Sequence, residues 1–207
     1  MIKGHPLKEL KSPQAKELAE WHSIQVDLKK IIAWLILLMS NLESLKEDDK
    51  SLSPIDEALW VASVVFYARC FDGGVRASLQ PSIYEGLNGD PLGAHKFYVD
   101  MRSKRIAHSV NAYEQYTTGI VCTKIEGDWK VLDIAPFLIS HTFPTTDGVT
   151  TLLELTKVAC NYATKQIKEL SIAVKAQACG MTPEEIERAN NLGFRVPGPG
   201  QSGNKRS

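Results

Sequence analysis

The sequence carries no charge excess. Its 207 residues include 24 lysines and arginines and 24 aspartates and glutamates, so the formal net charge is zero. Proteins that coat nucleic acid without sequence preference normally carry a basic excess. The composition argues against that class, and any contact with nucleic acid has to come from a local patch of basic residues.

Cysteines are few and scattered. The four thiols form no Cys-x-x-Cys pair and lie far apart along the chain, at Cys70, Cys122, Cys160 and Cys179. This spacing does not fit a zinc cluster, and four cysteines in so long a chain do not indicate a disulfide scaffold. No His-x-x-x-His pair or acidic cluster indicates another metal. We therefore expect no metal and no cofactor, with the thiols kept free in a reducing compartment.

Long apolar runs are also missing. The most apolar stretch, Ile31 to Met39, has nine residues, whereas a membrane-spanning helix needs about 20. The first ten residues, MIKGHPLKEL, contain no apolar segment of the kind found in secretory signals. We predict a cytoplasmic protein with no membrane partner.

Helix starts are the clearest pattern that is present. Three of them place a capping side chain before a proline, which favours the first helical position: Ser12-Pro13, Ser53-Pro54 and Asp90-Pro91. The first helix is predicted to end near Leu45 and the second at Gly73-Gly74, where two adjacent glycines end or kink it. The third is predicted to end near Ser109.

The second half of the chain changes its hydrophobic period. Residues 116–126 and 129–135 alternate as two strands around a tight turn at Glu126-Gly127-Asp128, and we interpret Trp129 in this hairpin as a packing residue. A long helix over about 149–179 follows. Thr182-Pro183-Glu184-Glu185 then forms a capping box that opens a short helix, predicted to close at Gly193.

Together these features predict an all-α fold, an antiparallel helical bundle of four to five helices with an inserted β-hairpin near 116–135. Residues 1–180 form the bundle, and residues 181–207 form a short helix and a disordered tail rich in proline, glycine and serine. The hydrophobic fraction of 43% and the charged fraction of 23% are ordinary for such a globular chain.

Basic residues are concentrated in one place, the stretch Arg102-Ser103-Lys104-Arg105-Ile106-Ala107-His108, which we call the basic segment. Between Pro91 and Val110 there are four basic residues and one acidic residue. Cleavage of a phosphate ester needs fixed positive charge at the phosphate oxygens and a group that exchanges protons near neutral pH. Arginine and histidine fit these two roles. A solvated basic helix end is the alternative interpretation.

The basic segment resembles the R-x(4–6)-H signature of HEPN domains, in its R-x-K-x-x-A-H form. HEPN domains are the helical domains of many prokaryotic toxins and phage-defence ribonucleases. The stretch Phe66 to Asp72 is similar to the second helix of the abortive-infection branch of that superfamily, which also carries arginine and aspartate. The order of the predicted helices, with the signature near the end of the third, agrees with this resemblance.

The resemblance implies a metal-independent endoribonuclease. His108 would handle the proton of the 2′-hydroxyl or of the leaving 5′-oxygen, and Arg102 would hold the scissile phosphate. The products would be a 2′,3′-cyclic phosphate and a 5′-hydroxyl. Ser103, Lys104, Arg105 and Asn111 would contact the substrate.

Two residues of the second helix are candidates for a supporting role. Asp72 would orient Arg102 or His108, with Arg69 beside it, although a simple ion pair within the helix is the alternative. His95 lies two turns before Arg102. It either extends a cationic groove or is an ordinary surface histidine.

The geometry of a regular helix separates the two predicted catalytic residues. Six residues rotate by about 600°, so Arg102 and His108 would point about 120° apart and stand about 9 Å apart along the axis. Either the helix unwinds near Ala107, or a second copy completes the site. HEPN relatives typically dimerise across this face, so we predict a homodimer with the two motifs near its two-fold axis.

Two other functions remain open. Ser103 stands where active HEPN members often have a larger polar residue. A non-catalytic HEPN-like dimer that binds RNA, a nucleotide or a protein partner through the same basic face is therefore an alternative, and a structural dimer whose motif packs the interface is another. In a toxin or defence system, a cognate antitoxin or regulatory protein would be a further partner.

Overall fold

The computed structural model describes residues 5–44, 53–73, 77–106, 114–140 and 144–193. Within these ranges five α-helices and two strands follow one another: α1 (Pro13–Ser44), α2 (Pro54–Phe71), α3 (Pro91–Met101), β1 (Glu114–Ile125), β2 (Asp128–Ser140), α4 (Thr146–Cys179) and α5 (Pro183–Arg188). A 3-10 turn (Pro81–Tyr84) precedes α3, and a π turn (Arg102–Ile106) extends it. The predicted class, a helical protein with an inserted hairpin, is confirmed at this level.

The helix starts form as the sequence predicts. The Ser53 hydroxyl accepts a hydrogen bond from the Asp56 amide at 3.2 Å, and Asp90 accepts one from the Gly93 amide at 2.9 Å. Ser12 does the same for Ala15 at 3.1 Å. These bonds satisfy amide groups that the first turn of a helix leaves without a partner. The predicted capping box of α5 is present too, and its helix ends at Arg188, five residues before Gly193.

Helix α1 is the centre of the bundle, because it packs against both α2 and α4. Asn41 near its end bonds Asp56 at the start of α2, while Asp27 bonds Arg69 near the end of α2, so the two helices are antiparallel. Apolar residues at steps of three and four along α1 face the core, where Trp21, Ile24, Leu28, Ile31, Leu35 and Leu38 are buried and Ile32, Met39 and Leu42 are partly buried. The largest fully buried side chains of the core are Tyr67, Tyr84, Ile24, Leu28, Ile31, Leu35, Leu38, Leu79 and Leu152.

The buried face of α4 is shorter than the sequence predicts. The sequence pattern places Leu152, Leu155, Ala159, Tyr162, Ile167, Leu170 and Val174 on this face, but the fully buried residues lie between Val149 and Ala163. Tyr162 is 38% exposed. Further along the helix, Ile167 and Leu170 are only partly buried against the core.

The two ends of the described chain meet. The Glu9 amide donates to the Asn190 carbonyl and the Leu192 amide donates to the Leu7 carbonyl, both at 2.8 Å, which makes an antiparallel bridge between Lys8 and Asn191. The Lys8 ammonium adds bonds to the carbonyls of Glu187 and Ala189. The short helix α5 is therefore held against the N-terminal segment.

Hairpin strands β1 and β2 extend further than predicted, because β2 continues from Asp128 to Ser140 and does not stop at Ala135. The turn is the tight one that the sequence indicates. Glu126 and Gly127 both have positive φ, at 53° and 93°, which is the geometry of a two-residue type I′ turn. None of the helices in the described ranges is long and apolar enough to cross a membrane.

Candidate functional site

The basic segment begins at a change in helix type. Regular α-helix ends at Met101, and Arg102 to Ile106 form a π turn that lies against α2. Single π turns within α-helices are rare and are frequently found at functional sites. The angle of about 120° between Arg102 and His108 was calculated for a regular α-helix. It does not apply here, because Arg102 to Ile106 are not α-helical.

Arg102, the first residue of the π turn, lies beside Asp72. Its guanidinium Nη2 is 3.6 Å from Asp72 Oδ2, and the two side chains are 38% and 66% exposed. Helix α2 ends at Phe71, just before Gly73, as the pair of glycines predicts. Asp72 is therefore the C-terminal capping residue of α2, and its backbone is extended. The structure thus brings Asp72 to Arg102, which is one of the two contacts expected for it.

Lys104 lies beside another acid. Its ammonium is 3.3 Å from Asp100 Oδ2, and Lys96 is 2.7 Å from the same oxygen. Hydrogen bonds from Lys96 and then Lys104 lower the pKa of Asp100 below its usual value. Asp100 therefore stays ionised and offsets part of the positive charge that the sequence concentrates here. Ser103, between the two cationic residues, is partly exposed.

His108 and Asn111 lie outside the described residues, and so does the side chain of Arg105. The described half of the candidate site therefore consists of Arg102, Asp72 and their neighbours on the π turn.

Arg69 points to a different neighbour from the one expected. Its guanidinium makes two hydrogen bonds to the carboxylate of Asp27 on α1, one of them 3.0 Å from Nε to Oδ2. It also stacks 3.6 Å from the ring centre of Phe66. The side chain of Asp27 is only 6% exposed. In this position Arg69 ties α2 to α1.

His95 is neither a surface histidine nor part of a cationic groove. It is 7% exposed and is enclosed by Phe71, Tyr84 and Tyr67. Burial lowers its pKa, so it is neutral near pH 7 and adds no positive charge. The sequence pattern was misleading because the face of α3 that carries His95 turns toward α2.

His95 begins a chain of buried hydrogen bonds. Its Nδ1 is 2.9 Å from the Tyr67 hydroxyl, which is 2.9 Å from the Tyr84 hydroxyl, and Tyr84 donates to the Leu155 carbonyl at 3.1 Å. All three bonds receive a hydrogen only if His95 Nδ1–H donates to Tyr67 and Tyr67 donates to Tyr84. Burial raises the pKa of both tyrosines, which keeps them protonated as donors.

Replacing Tyr67 by phenylalanine is expected to destabilise the protein by about 2 kcal/mol, because it leaves the buried His95 Nδ1–H without an acceptor. Urea unfolding at pH 7 measures the difference. The matched control is Tyr162→Phe, which removes the hydroxyl of an exposed tyrosine and should change stability little. Equal effects of the two substitutions would contradict the assigned hydrogen-bond chain.

No group of three or more histidine, cysteine, aspartate or glutamate side chains suited to a metal ion occurs among the residues that the structure describes. The four cysteines form no disulfide, and two of them, Cys122 and Cys179, are exposed. A groove of about 330 Å³ lies between the N-terminal segment and the start of α5, lined by Glu9, Lys11, Glu185 and Arg188. It is far in sequence from the basic segment and mixes both signs of charge.

Comparison of the chain with protein-family models, with curated proteins and with solved structures finds no match.

Proposed function

We propose that the chain is a HEPN-like protein and a metal-independent endoribonuclease, with Arg102 and His108 as its catalytic residues. One observation carries this proposal. The arginine of the R-x-K-x-x-A-H segment occupies the first position of a π turn, half exposed, with the carboxylate of Asp72 beside it. A guanidinium in this position is open enough for a phosphate to reach it, and the ion pair with Asp72 favours one direction of the side chain.

The reaction would be a transfer of the phosphodiester to the neighbouring hydroxyl. The RNA 2′-oxygen forms a bond to phosphorus while the bond from phosphorus to the 5′-oxygen breaks. One proton leaves the 2′-hydroxyl and one reaches the 5′-oxygen, which gives a 2′,3′-cyclic phosphate and a 5′-hydroxyl. Arg102 would stabilise the charge that develops on the phosphate oxygens, and His108 would handle one of the two protons.

In the free protein, each described cationic side chain of the site lies beside the carboxylate of an exposed acidic residue. Arg102 pairs with Asp72, and Lys104 pairs with Asp100. Ion pairs of this exposure contribute about 0–1 kcal/mol, so a phosphate group can replace Asp100 at Lys104 at little cost. At Arg102 the phosphate would bind the N–H groups that face away from Asp72, which contacts only Nη2. Such a site would bind RNA weakly in the absence of further contacts, which suits a protein of zero net charge.

A homodimer fits the same proposal, because one histidine can handle only one proton at a time. Two copies of the basic segment near a two-fold axis would supply both an acid and a base. As a cytoplasmic ribonuclease of a toxin or phage-defence system, the protein would also need a cognate antitoxin or regulatory protein to restrain it.

The second candidate is a non-catalytic HEPN-like dimer that binds RNA, a nucleotide or a protein partner through the same face. Two observations favour it over the enzyme. Ser103 replaces the larger polar residue that is common in active members, and acids offset both described cations. In this case Arg102 would contribute to affinity, and His108 would make no difference to any reaction.

Incubation of the purified protein with total RNA in EDTA separates the two candidates. The enzyme cleaves RNA in the presence of the chelator, and both His108→Ala and Arg102→Ala abolish the cleavage. Equal cleavage by the wild type and both variants would identify a contaminating nuclease and contradict the proposal. Binding without cleavage would support the second candidate.

Asp72→Asn is expected to lower the rate of RNA cleavage by about tenfold, because Arg102 loses the carboxylate that orients it. The melting temperature should hardly change, since Asp72 is 66% exposed. The matched control, Glu154→Gln, removes one charge from an exposed ion pair with Lys157 on α4 and should leave the rate unchanged. A drop in melting temperature with no change in rate would show that Asp72 is structural.

A further inference from the structure

We propose that one face of the β-hairpin is a homodimer interface that packs against the same face of a second copy. No side chain from Thr117 to Phe137 is buried, and neither strand packs extensively on a described helix. An isolated two-stranded hairpin is at best marginally stable in water. The hairpin therefore needs a cover that this chain does not provide within the described ranges.

The strand register separates the hairpin into two unlike faces. Side chains directly opposite each other share a face, and the pairs Ile120 with Ile134, Cys122 with Val131 and Lys124 with Trp129 all fall on one side. We call the side formed by Ile120, Cys122, Trp129, Val131 and Ile134 the apolar hairpin face. The Lys124 ammonium, 5.5 Å from the Trp129 ring centre, lies at its edge.

The opposite face is mixed in character. It presents Thr117, Thr123 and three charged residues, Asp128, Lys130 and Asp133, together with Val121, Ile125, Ala135 and Phe137. The ring of Phe137 lies over Gly119 on this face. A bulge at Leu132 on β2 keeps the apolar residues of both strand halves on the same side, because the register skips one residue between Val121 and Cys122. Antiparallel sheets normally pack their more apolar face against another layer, and here that is the side with one charged residue, Lys124, and not the side with three.

The large apolar side chains are more exposed on the apolar hairpin face than on the opposite one. Ile120, Trp129, Val131 and Ile134 are 62%, 69%, 63% and 66% exposed, against 44% for Val121 and Ile125 and 55% for Phe137. Trp129, which the sequence marked as a packing residue, is not among the described core residues, and its ring lies near the Lys124 ammonium. In the proposed dimer, Trp129 would pack against the second copy, which would remove its exposed ring from water.

Charge argues against nucleic acid or an anionic lipid surface as the cover. Residues 117–137 carry two lysines against three acids, Glu126, Asp128 and Asp133. Phosphate-rich partners attract surfaces with a basic excess, which this hairpin lacks. A second copy of the chain offers the same face, whose one charged residue, Lys124, lies at the edge, so the apolar parts of two copies can pack together without any charge pairing.

The exposed area is large enough for a dimer. At about 100 Å² for each aliphatic side chain and about 200 Å² for the tryptophan, the face would bury roughly 500 Å² on each copy. A pair of copies would then bury about 1,000 Å², which is the lower limit for a specific interface. Two sheets packed face to face in this way form a sandwich about 10 Å apart.

The sequence links this interface to the candidate site. β1 begins at Glu114, six residues after His108, a distance of at most about 20 Å for extended chain. Two hairpins that pack in the same direction would therefore hold two copies of the basic segment in the same neighbourhood. The connection between the hairpin interface and the candidate site rests on the proposed ribonuclease function. The formation of the dimer does not depend on that function.

Light scattering on a size-exclusion column, at about 10 µM protein and without RNA, tests the interface. The wild type should have twice the 22.9 kDa mass of the chain, and Ile120→Asp with Ile134→Asp should have the mass of one chain. The control, Thr117→Asp with Thr123→Asp, puts the same charges on the opposite face of the hairpin and should remain a dimer. A monomeric wild type, or a dimer in both double variants, would overturn the proposal.

A conservative pair guards against loss of the hairpin itself. Ile120→Thr with Ile134→Thr keeps β-branched side chains that favour strands but shrinks the apolar area, so the dimer should dissociate at least tenfold more readily. Unchanged dissociation in this variant would also overturn the proposal. Ribonuclease activity is not part of either readout, so its absence leaves this result intact.

Cys122 supplies an independent probe, because it lies in the middle of the apolar hairpin face. In a Cys179→Ser background, where Cys122 is the remaining exposed cysteine among the described residues, a short bismaleimide reagent should join two chains through Cys122. Cys122→Ser should abolish the product. A dimer by light scattering that gives no Cys122 product would place the interface elsewhere.

Discussion

Replacement of His108 by alanine is expected to lower the rate of RNA cleavage by about 10²- to 10⁴-fold, which is the usual contribution of a positioned acid or base. The substrate should still bind, because the guanidinium of Arg102 remains. Initial rates in EDTA under single-turnover conditions measure the effect, and the products should carry 2′,3′-cyclic phosphate and 5′-hydroxyl ends.

Controls for this experiment come from the same chain. His22→Ala removes an exposed histidine on α1 and should leave the rate unchanged. Arg102→Lys keeps the positive charge but loses the planar fork that donates to two oxygens, so its rate should fall between those of the wild type and Arg102→Ala. Full activity in His108→Ala would remove the histidine from the mechanism.

Asp27→Ala is expected to destabilise the protein by about 3 kcal/mol, as is typical when one partner of a buried ion pair is removed. Asp27 is 4% exposed and accepts two hydrogen bonds from Arg69. The cost should lie at the lower end of the usual range, because Arg69 is 41% exposed and regains water when the carboxylate is lost. Urea unfolding of both proteins measures the difference.

Two further variants test the physical reason. Asp27→Leu combined with Arg69→Met replaces the pair by apolar side chains of similar size, and its stability should lie within about 1 kcal/mol of the wild type. Glu169→Ala breaks an exposed ion pair with Lys165 and should cost less than about 1 kcal/mol. A double variant no more stable than Asp27→Ala would show that packing, and not the unpaired charge, is responsible.

Local signals predicted much of the fold. A capping side chain followed by proline located the starts of α1, α2 and α3 to the residue, because these residue types satisfy free amide groups without help from distant parts of the chain. The hairpin turn at Glu126 and Gly127 could also be predicted from its own residues. The end of β2 could not be predicted in this way, because pairing with β1 extends the strand beyond its own alternating pattern.

Side chains whose role depends on a distant partner were the ones that sequence reasoning missed. Asp27 interrupts an apolar stripe, and nothing in the sequence pairs it with Arg69, which lies 42 residues away. His95 has the spacing of a surface residue in line with Arg102, yet it lies in the core, where the Tyr67 hydroxyl accepts its hydrogen bond. The π turn at Arg102 has no known residue signature, so its presence could not be predicted either.

The bridge between Lys8 and Asn191 has a consequence for folding order. It joins segments more than 180 residues apart in the chain, so its formation closes almost the whole polypeptide into one loop. The entropy lost on closing so long a loop opposes this contact until the intervening chain has folded. This bridge is therefore expected to form after the helices have assembled and to open before they come apart, which makes the amide of Leu192 an early reporter of unfolding in hydrogen exchange.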